Sequence, residues 1–180
     1  MFLEMWNAIK KTDTDYTAYF PEITYTAKQT GYVQPYADNP LDDEHTGENV
    51  YMNVLNSARE YAYFITPYLL ISDEMQKGFY SGSQKRRGCA DYHTGHTGRK
   101  SLFIRQHVLI TTDWSKKGVR IFEYTPGFCH AKQCVSDDKA AVVGTINLDY
   151  RSLYHHFENA AAFYHKDAVA GVKADFDHHF

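Results

Sequence analysis

At 180 residues the chain is the size of one domain, long enough to bury about two thirds of the surface its unfolded form exposes. Hydrophobic residues make up 43% and charged ones 23%, which excludes a disordered chain, and 16% aromatic content places several rings in a core or at a ligand. Nineteen Lys/Arg against 22 Asp/Glu give a formal charge of −3, which excludes a polyanion binder acting through overall charge.

Three cysteines, Cys89, Cys129 and Cys134, build no disulfide framework and fit a reducing compartment. The opening MFLEMWNAIKK lacks the basic start and long apolar core of a signal peptide. Thr46 reads as the N-cap of a helix running to residue 60, with Val50, Val54, Leu55 and Ala58 at helical spacing. A strand follows over 61–66 and is stopped by Pro67. The most apolar run, 61–71, has 11 residues and falls far short of the ~20 that span a bilayer.

Residues 119–124 read as a strand ended by a Pro126-Gly127 turn. Strands over 129–136 and 140–145 are joined by a tight turn at Asp137-Asp138-Lys139. A further strand is expected over 156–164 and a helix over 167–180. Helices and strands intermix, so the fold class is α/β, a single sandwich domain over 1–180 with a mixed sheet flanked by helices.

One stretch does not match its surroundings. Residues 77–112 hold seven Lys/Arg, one acidic residue (Asp91) and five of the 11 glycines, a net +6 that leaves −9 on the rest. Cys89, His93 and His96 in the pattern C-x3-H-x2-H lack a fourth zinc ligand, and Lys85-Arg86-Arg87 read as a solvated basic loop.

The chemistry lies in His130-Ala131-Lys132, Asp137 and Gly144-Thr145-Ile146-Asn147, the pattern H-x-K-x4-D-x6-G-T-x-N. Residues two apart on a strand share a face, so His130 and Lys132 can converge on one ligand. Imidazole is a competent nucleophile near neutral pH, and ammonium offsets phosphate charge, so the pair suits a phosphodiester. Thr145 and Asn147, also two apart, can hydrogen-bond non-bridging oxygens. Asp137 would tie its loop or pair with Lys132, and Glu158 on the next strand could orient the His130 ring through its other nitrogen.

This pattern resembles the His-x-Lys-Asp signature of the phospholipase D superfamily, and its neighbours resemble bacterial cardiolipin synthases. The segments that carry the likeness are GVRIFEYTPGF at 118–128, VVGTINLDYRSL at 142–153 and Phe157-Glu158. Upstream, MFLEMWN, GYVQPY at 31–36, PLDDE at 40–44 and ITPYL at 65–69 agree with it. The resemblance covers about 1–77 and 113–176.

It implies phosphatidyl transfer between two phosphatidylglycerol molecules to give cardiolipin and glycerol, through a phosphohistidine, with no metal and no other cofactor. His130, Lys132, Asp137 and Glu158 match the family's catalytic second motif, and Gly144, Thr145 and Asn147 its phosphate-binding part. Gly144 would supply close backbone approach beside the phosphate. The family also carries a first motif and membrane helices ahead of the matched segment. His130-x-Lys132 is the single H-x-K here, because the adjacent His165-Lys166-Asp167 would point to opposite strand faces.

The chain is therefore expected to be half an active site, the C-terminal part of an enzyme of the bacterial cytoplasmic membrane. Its expected partners are phosphatidylglycerol, a membrane surface reached through the missing N-terminal part, and either the first-motif half or a second copy of the chain. No nucleic acid is expected. Two alternatives stand beside this: a one-motif dimeric phosphodiesterase or nuclease, and an inactive relic.

Residues 77–112 match the family only when the codons are read out of phase. Back-translation of KRRGCADYHTGHTG at 85–98, shifted by one base, permits Ser-Gly-Val-Asp-Val-Arg-Ile-Ile-Thr-Pro-Gly-Ile-Pro-Asp, which resembles the family at this place. The stretch thus reads as frame-slipped, with a polar sequence where the family has a helix and an apolar central strand. Marginal folding is the expected consequence.

Overall fold

The computed structural model describes residues 1–26, 30–85, 89–94, 114–124 and 127–179. The chain forms two compact units, Met1–Thr30 and Gly31–Phe180.

In the first unit, α1 spans Phe2–Lys10 and a single 3-10 turn spans Thr17–Tyr19. The Asn7 side chain joins them: its Nδ2 donates to Thr14 O at 3.3 Å and to Tyr16 Oη at 3.2 Å. Asp15 Oδ1 accepts from the Thr17 amide at 3.0 Å, and the Thr17 bonds hold the Asp15 carboxyl below its ordinary range.

The second unit is an α/β/α sandwich. Its strands are β1 (Val33–Asp38), β2 (Ala62–Thr66), β3 (Leu69–Leu70), β4 (Cys89–Thr94), β5 (Arg120–Tyr124), β6 (Gln133–Ser136), β7 (Ala140–Gly144), β8 (Leu148–Asp149) and β9 (Glu158–Phe163). Seven of them form one sheet in the order β1-β9-β7-β6-β2-β4-β5, and β3 pairs with β8 separately. The pairs from β1 through β2 are antiparallel, whereas β2-β4-β5 run parallel. Helices α2 (Thr46–Ser57), α3 (Asp73–Lys85), α4 (Tyr150–His155) and α5 (Lys166–His179) complete the unit.

The period of two along each strand builds two cores. Phe64, Cys134 and Val142 pack with Tyr51, Val54 and Leu55 of α2, Met75 and Phe79 of α3, and Trp114. Their neighbours Ile65, Val135 and Ala141 pack on the opposite face with Val169 and Phe176 of α5. Among the described residues no helix is long and apolar enough to cross a membrane.

Two expected boundaries shift for identifiable reasons. The helix expected to reach residue 60 ends at Ser57, with Ala58 already extended. The amides of Arg59, Glu60 and Tyr61 donate to the Asp137 carboxylate at 2.6, 2.9 and 2.9 Å, so they do not continue the helical ladder. Nor does Thr46 cap this helix through its side chain; Asp38 Oδ2 at the end of β1 accepts from the Gly47 amide at 2.9 Å. The strand expected over 129–136 begins only at Gln133, where the register with β2 ends at Ile65. Pro67 has no N–H to carry that ladder further.

The anomalous stretch divides. Residues 77–85 fall in α3 and 89–94 form β4 between β2 and β5, while 95–113, with His96, lie outside the described residues. Pro126 of the expected turn also lies outside them.

Candidate active site

The site is built by one hairpin. At its tip, Asp137 (φ 50°) and Asp138 (φ 54°) form a primed turn closed by Lys139 N donating to Ser136 O at 2.9 Å. At its open end, the Gly144 amide donates to Lys132 O at 3.1 Å. The segment before β6 thus lies beside the segment after β7, which brings His130 and Lys132 next to Thr145 and Asn147. His130 and Lys132 precede the strand and do not sit in it.

Strand β9 supplies the third side. The Thr145 amide donates to Asn159 O at 2.8 Å, and the Asn159 amide donates to Thr145 Oγ1 at 3.0 Å. The result is an open cleft of about 510 Å³ whose lining includes His130, Lys132, Gly144, Thr145, Asn147 and Glu158. Six of the seven expected site residues converge there.

Lys132 is 8% exposed and its Nζ donates to His130 O at 2.7 Å. Burial pulls its pKa below the ordinary lysine value, and the charge of Glu158 opposes that pull. A partly desolvated ammonium is a strong electrostatic partner for an anion entering the cleft. His130 is exposed, with its ring 5.5 Å from that of Phe128. Among the described residues its imidazole makes no hydrogen bond.

Asp137 is not in the cleft. It stands at the opposite end of the hairpin and ties the α2–β2 connection, which settles the sequence alternative against a pair with Lys132. Burial raises its carboxyl, but the amides of Tyr61, Arg59 and Glu60 outweigh burial and hold it below the ordinary aspartate value. The stability it contributes is present above the unfolded-state pKa and is lost as pH falls through the lower folded value. Asp137→Asn keeps a residue that tolerates φ > 0 but turns an NH2 toward one of the three donors. It is expected to cost about 1–3 kcal/mol in urea unfolding and to flatten the acid limb of the stability curve. Unchanged stability at pH 7 would contradict this tie.

Glu158 also departs from expectation. Its Oε1 accepts from Ser152 Oγ at 2.7 Å and its Oε2 from Thr145 Oγ1, while His156 Nδ1 lies 3.5 Å from Oε1. The carboxylate therefore braces the loop after β7, and it makes no hydrogen bond to the His130 ring. The hydroxyls are brought within reach because β9 starts directly beside that loop.

Gly144 permits a close approach, but the approaching group is β9 rather than a ligand. A Cβ there would stand 2.5 Å from Asn159 O and 2.6 Å from Ala160 Cα. Gly144→Ala is expected to destabilise by roughly 1–3 kcal/mol or more, read as a lowered melting temperature, because backbone must move. Stability within 0.5 kcal/mol of the parent would contradict this packing.

The loop 144–149 is held from behind. Tyr51 Oη donates to Ile146 O at 2.8 Å, the Leu148 amide donates to Thr66 Oγ1 at 3.0 Å, and the Asn147 amide donates to Ser152 Oγ at 2.8 Å. Asn147 Oδ1 is buried without a partner among the described residues. Asp149 caps α4 by accepting from the Ser152 amide at 2.9 Å, and Arg151 Nε donates to His156 Nε2 at 2.9 Å. Arginine can only donate, so His156 is the tautomer with its proton on Nδ1, toward Glu158. Motif spacing alone assigned no role to these residues; the Asp149-x-x-Ser152 capping pattern was the readable signal.

The literal His165-Lys166-Asp167 serves a helix start. Lys166 opens α5, and His165 O accepts from the Val169 amide at 2.9 Å.

The histidine and the buried lysine stand at the open end of a hairpin on a mixed sheet between helices, an α/β sandwich with the fold of phospholipase D family members. Solved structures agree on the fold. Nuc from Salmonella typhimurium, a phospholipase D family member, superposes with a TM-score of 0.65 at 12% identity, over 83% of this chain and 94% of that one. Phosphatidylserine synthase from Haemophilus influenzae gives 0.65 at 15% identity, over 81% and 38%.

The family model described as "Cardiolipin synthase, PLD-like domain" matches residues 51–180, and the chain belongs to that family. An uncharacterized protein of Streptococcus mutans is 43% identical over 178 residues, 98% of this chain and 38% of the relative. Cardiolipin synthase 1 of Bacillus anthracis is 30% identical over 169 residues, 90% of this chain and 31% of the relative. The chain thus spans about a third of the length of the curated relatives it matches.

Proposed function

We propose that this chain supplies one half-site of a cardiolipin synthase-like phosphatidyltransferase. The observation that carries the reading is the convergence of His130, Lys132, Thr145 and Asn147 on one open cleft. His130 attacks phosphorus of phosphatidylglycerol, the P–O bond to the headgroup glycerol breaks, and a phosphatidyl-histidine forms. A general acid from a second histidine motif protonates the departing glycerol. The hydroxyl of another phosphatidylglycerol then displaces His130, its proton returns to that second group, and cardiolipin is released. Lys132 and the side-chain amide of Asn147 offset charge on the non-bridging oxygens in both steps, while Thr145, whose hydroxyl donates to Glu158, shapes the loop beside them.

On this reading the second histidine comes from the first-motif half or from another copy of the chain, and the protein works at the cytoplasmic membrane. The test is a chimera in which this chain replaces the matching segment of the Bacillus anthracis relative. Cardiolipin and glycerol formation from phosphatidylglycerol vesicles, lost in His130→Ala, is the expected result. Equal turnover with and without His130 would point to a relic. Salt-dependent DNA cleavage by a dimer of the unmodified chain would favour the one-motif nuclease.

A further inference from the structure

We infer that Ser152 is a positioning residue for phosphate binding, a role that rests on the phosphate-site reading above. It is 1% exposed and lies behind the cleft, out of reach of a ligand. Its single hydroxyl makes two bonds that join the two sides of the site. Oγ accepts from the Asn147 amide at 2.8 Å and donates to Glu158 Oε1 at 2.7 Å.

The hydroxyl's own position is fixed independently. The Ser152 amide donates to Asp149 Oδ1 at 2.9 Å, so the first turn of α4 holds residue 152 at a set height behind the loop. One oxygen therefore sets where the Asn147 backbone stands relative to Glu158. Glu158 in turn accepts from Thr145 Oγ1, so both polar residues of the Gly144–Asn147 loop are referred to the same anchor. A binding group held by second-layer hydrogen bonds loses affinity when the support is cut, although the ligand never touches it. Alanine at 152 would leave the Asn147 amide buried without its acceptor and remove a donor from the carboxylate.

The test uses the whole chain and sodium tungstate, a tetrahedral oxyanion, as the probe in calorimetric titrations. The unmodified chain is expected to bind it, and Lys132→Met to bind at least tenfold more weakly. Ser152→Ala is expected to weaken binding about tenfold, while Ser152→Thr, which keeps the hydroxyl, stays within threefold of the parent. In hydrogen-exchange measurements, the Asn147 amide of Ser152→Ala should exchange at least tenfold faster, with amides of β6 and β7 unchanged.

No tungstate binding by the unmodified chain, or equal binding by Lys132→Met, overturns the phosphate-site reading and this inference with it. Lys132-dependent binding that Ser152→Ala leaves within twofold overturns the inference alone. So does a folded Ser152→Thr chain that binds no better than Ser152→Ala. If the threonine variant fails to fold, unchanged Asn147 exchange in Ser152→Ala overturns it.

Discussion

His130→Ala in the chimeric enzyme is expected to lower kcat for cardiolipin formation by about 10⁴-fold or more, with KM for phosphatidylglycerol little changed. On the proposed mechanism the side chain forms the covalent bond, so its loss removes a pathway rather than a binding contact. Lys132→Met should behave differently. On the proposed mechanism its ammonium offsets charge on the bound phosphodiester and does so more strongly in the transition state, so its removal costs about 10²–10³-fold in kcat, with KM raised as well. Steady-state kinetics on the two variants separate these roles. Equal losses for both, or a His130→Ala variant that keeps a tenth of the activity, would contradict the assignment.

The second large effect concerns stability. β4 lies between β2 and β5, and its register pairs Asp91 with Phe64, whose ring belongs to the main core. Interior strands of a parallel sheet read as near-continuous apolar runs, and aspartate is among the residues depleted from strands. The shifted reading frame puts isoleucine at position 91. Asp91→Ile is therefore expected to stabilise the chain by about 2–4 kcal/mol. That corresponds to a rise in melting temperature of roughly 5–15 °C by calorimetry. A lower melting temperature in the variant would contradict the frame-slip proposal. The codons of the gene across 77–112 bear on it directly: a DNA sequence that excludes the shifted reading would make the stretch authentic.

The sheet was largely legible because its strands alternate. Phe64 and Ile65, Cys134 and Val135, and Ala141 and Val142 each divide between two cores, and that period of two is visible in the residues themselves. The site was legible as far as spacing reaches. His130 with Lys132 and Thr145 with Asn147 are close in sequence, and a hairpin with a tight three-residue connection at 137–139 brings the pairs side by side.

What could not be read depends on long-range placement. Asp137 meets amides 76 to 78 positions away, so its part in ending α2 is invisible before the fold is known. Glu158 was paired with the wrong partner because spacing cannot rank a distant imidazole against the hydroxyls of Thr145 and Ser152. Gly144 was assigned to a ligand when its missing Cβ makes room for β9. In each case a tertiary contact, not a local preference, decided the role.

The proposed mechanism turns on His130 as a nucleophile toward phosphodiesters. Bis(p-nitrophenyl) phosphate tests it most directly on the chain itself, because its leaving group departs without a proton from a second motif. A stoichiometric burst of p-nitrophenolate and an acid-labile phosphoryl adduct on the peptide containing His130 are expected, both absent from His130→Ala. Equal release by the two proteins, or an adduct on any other residue, would contradict it.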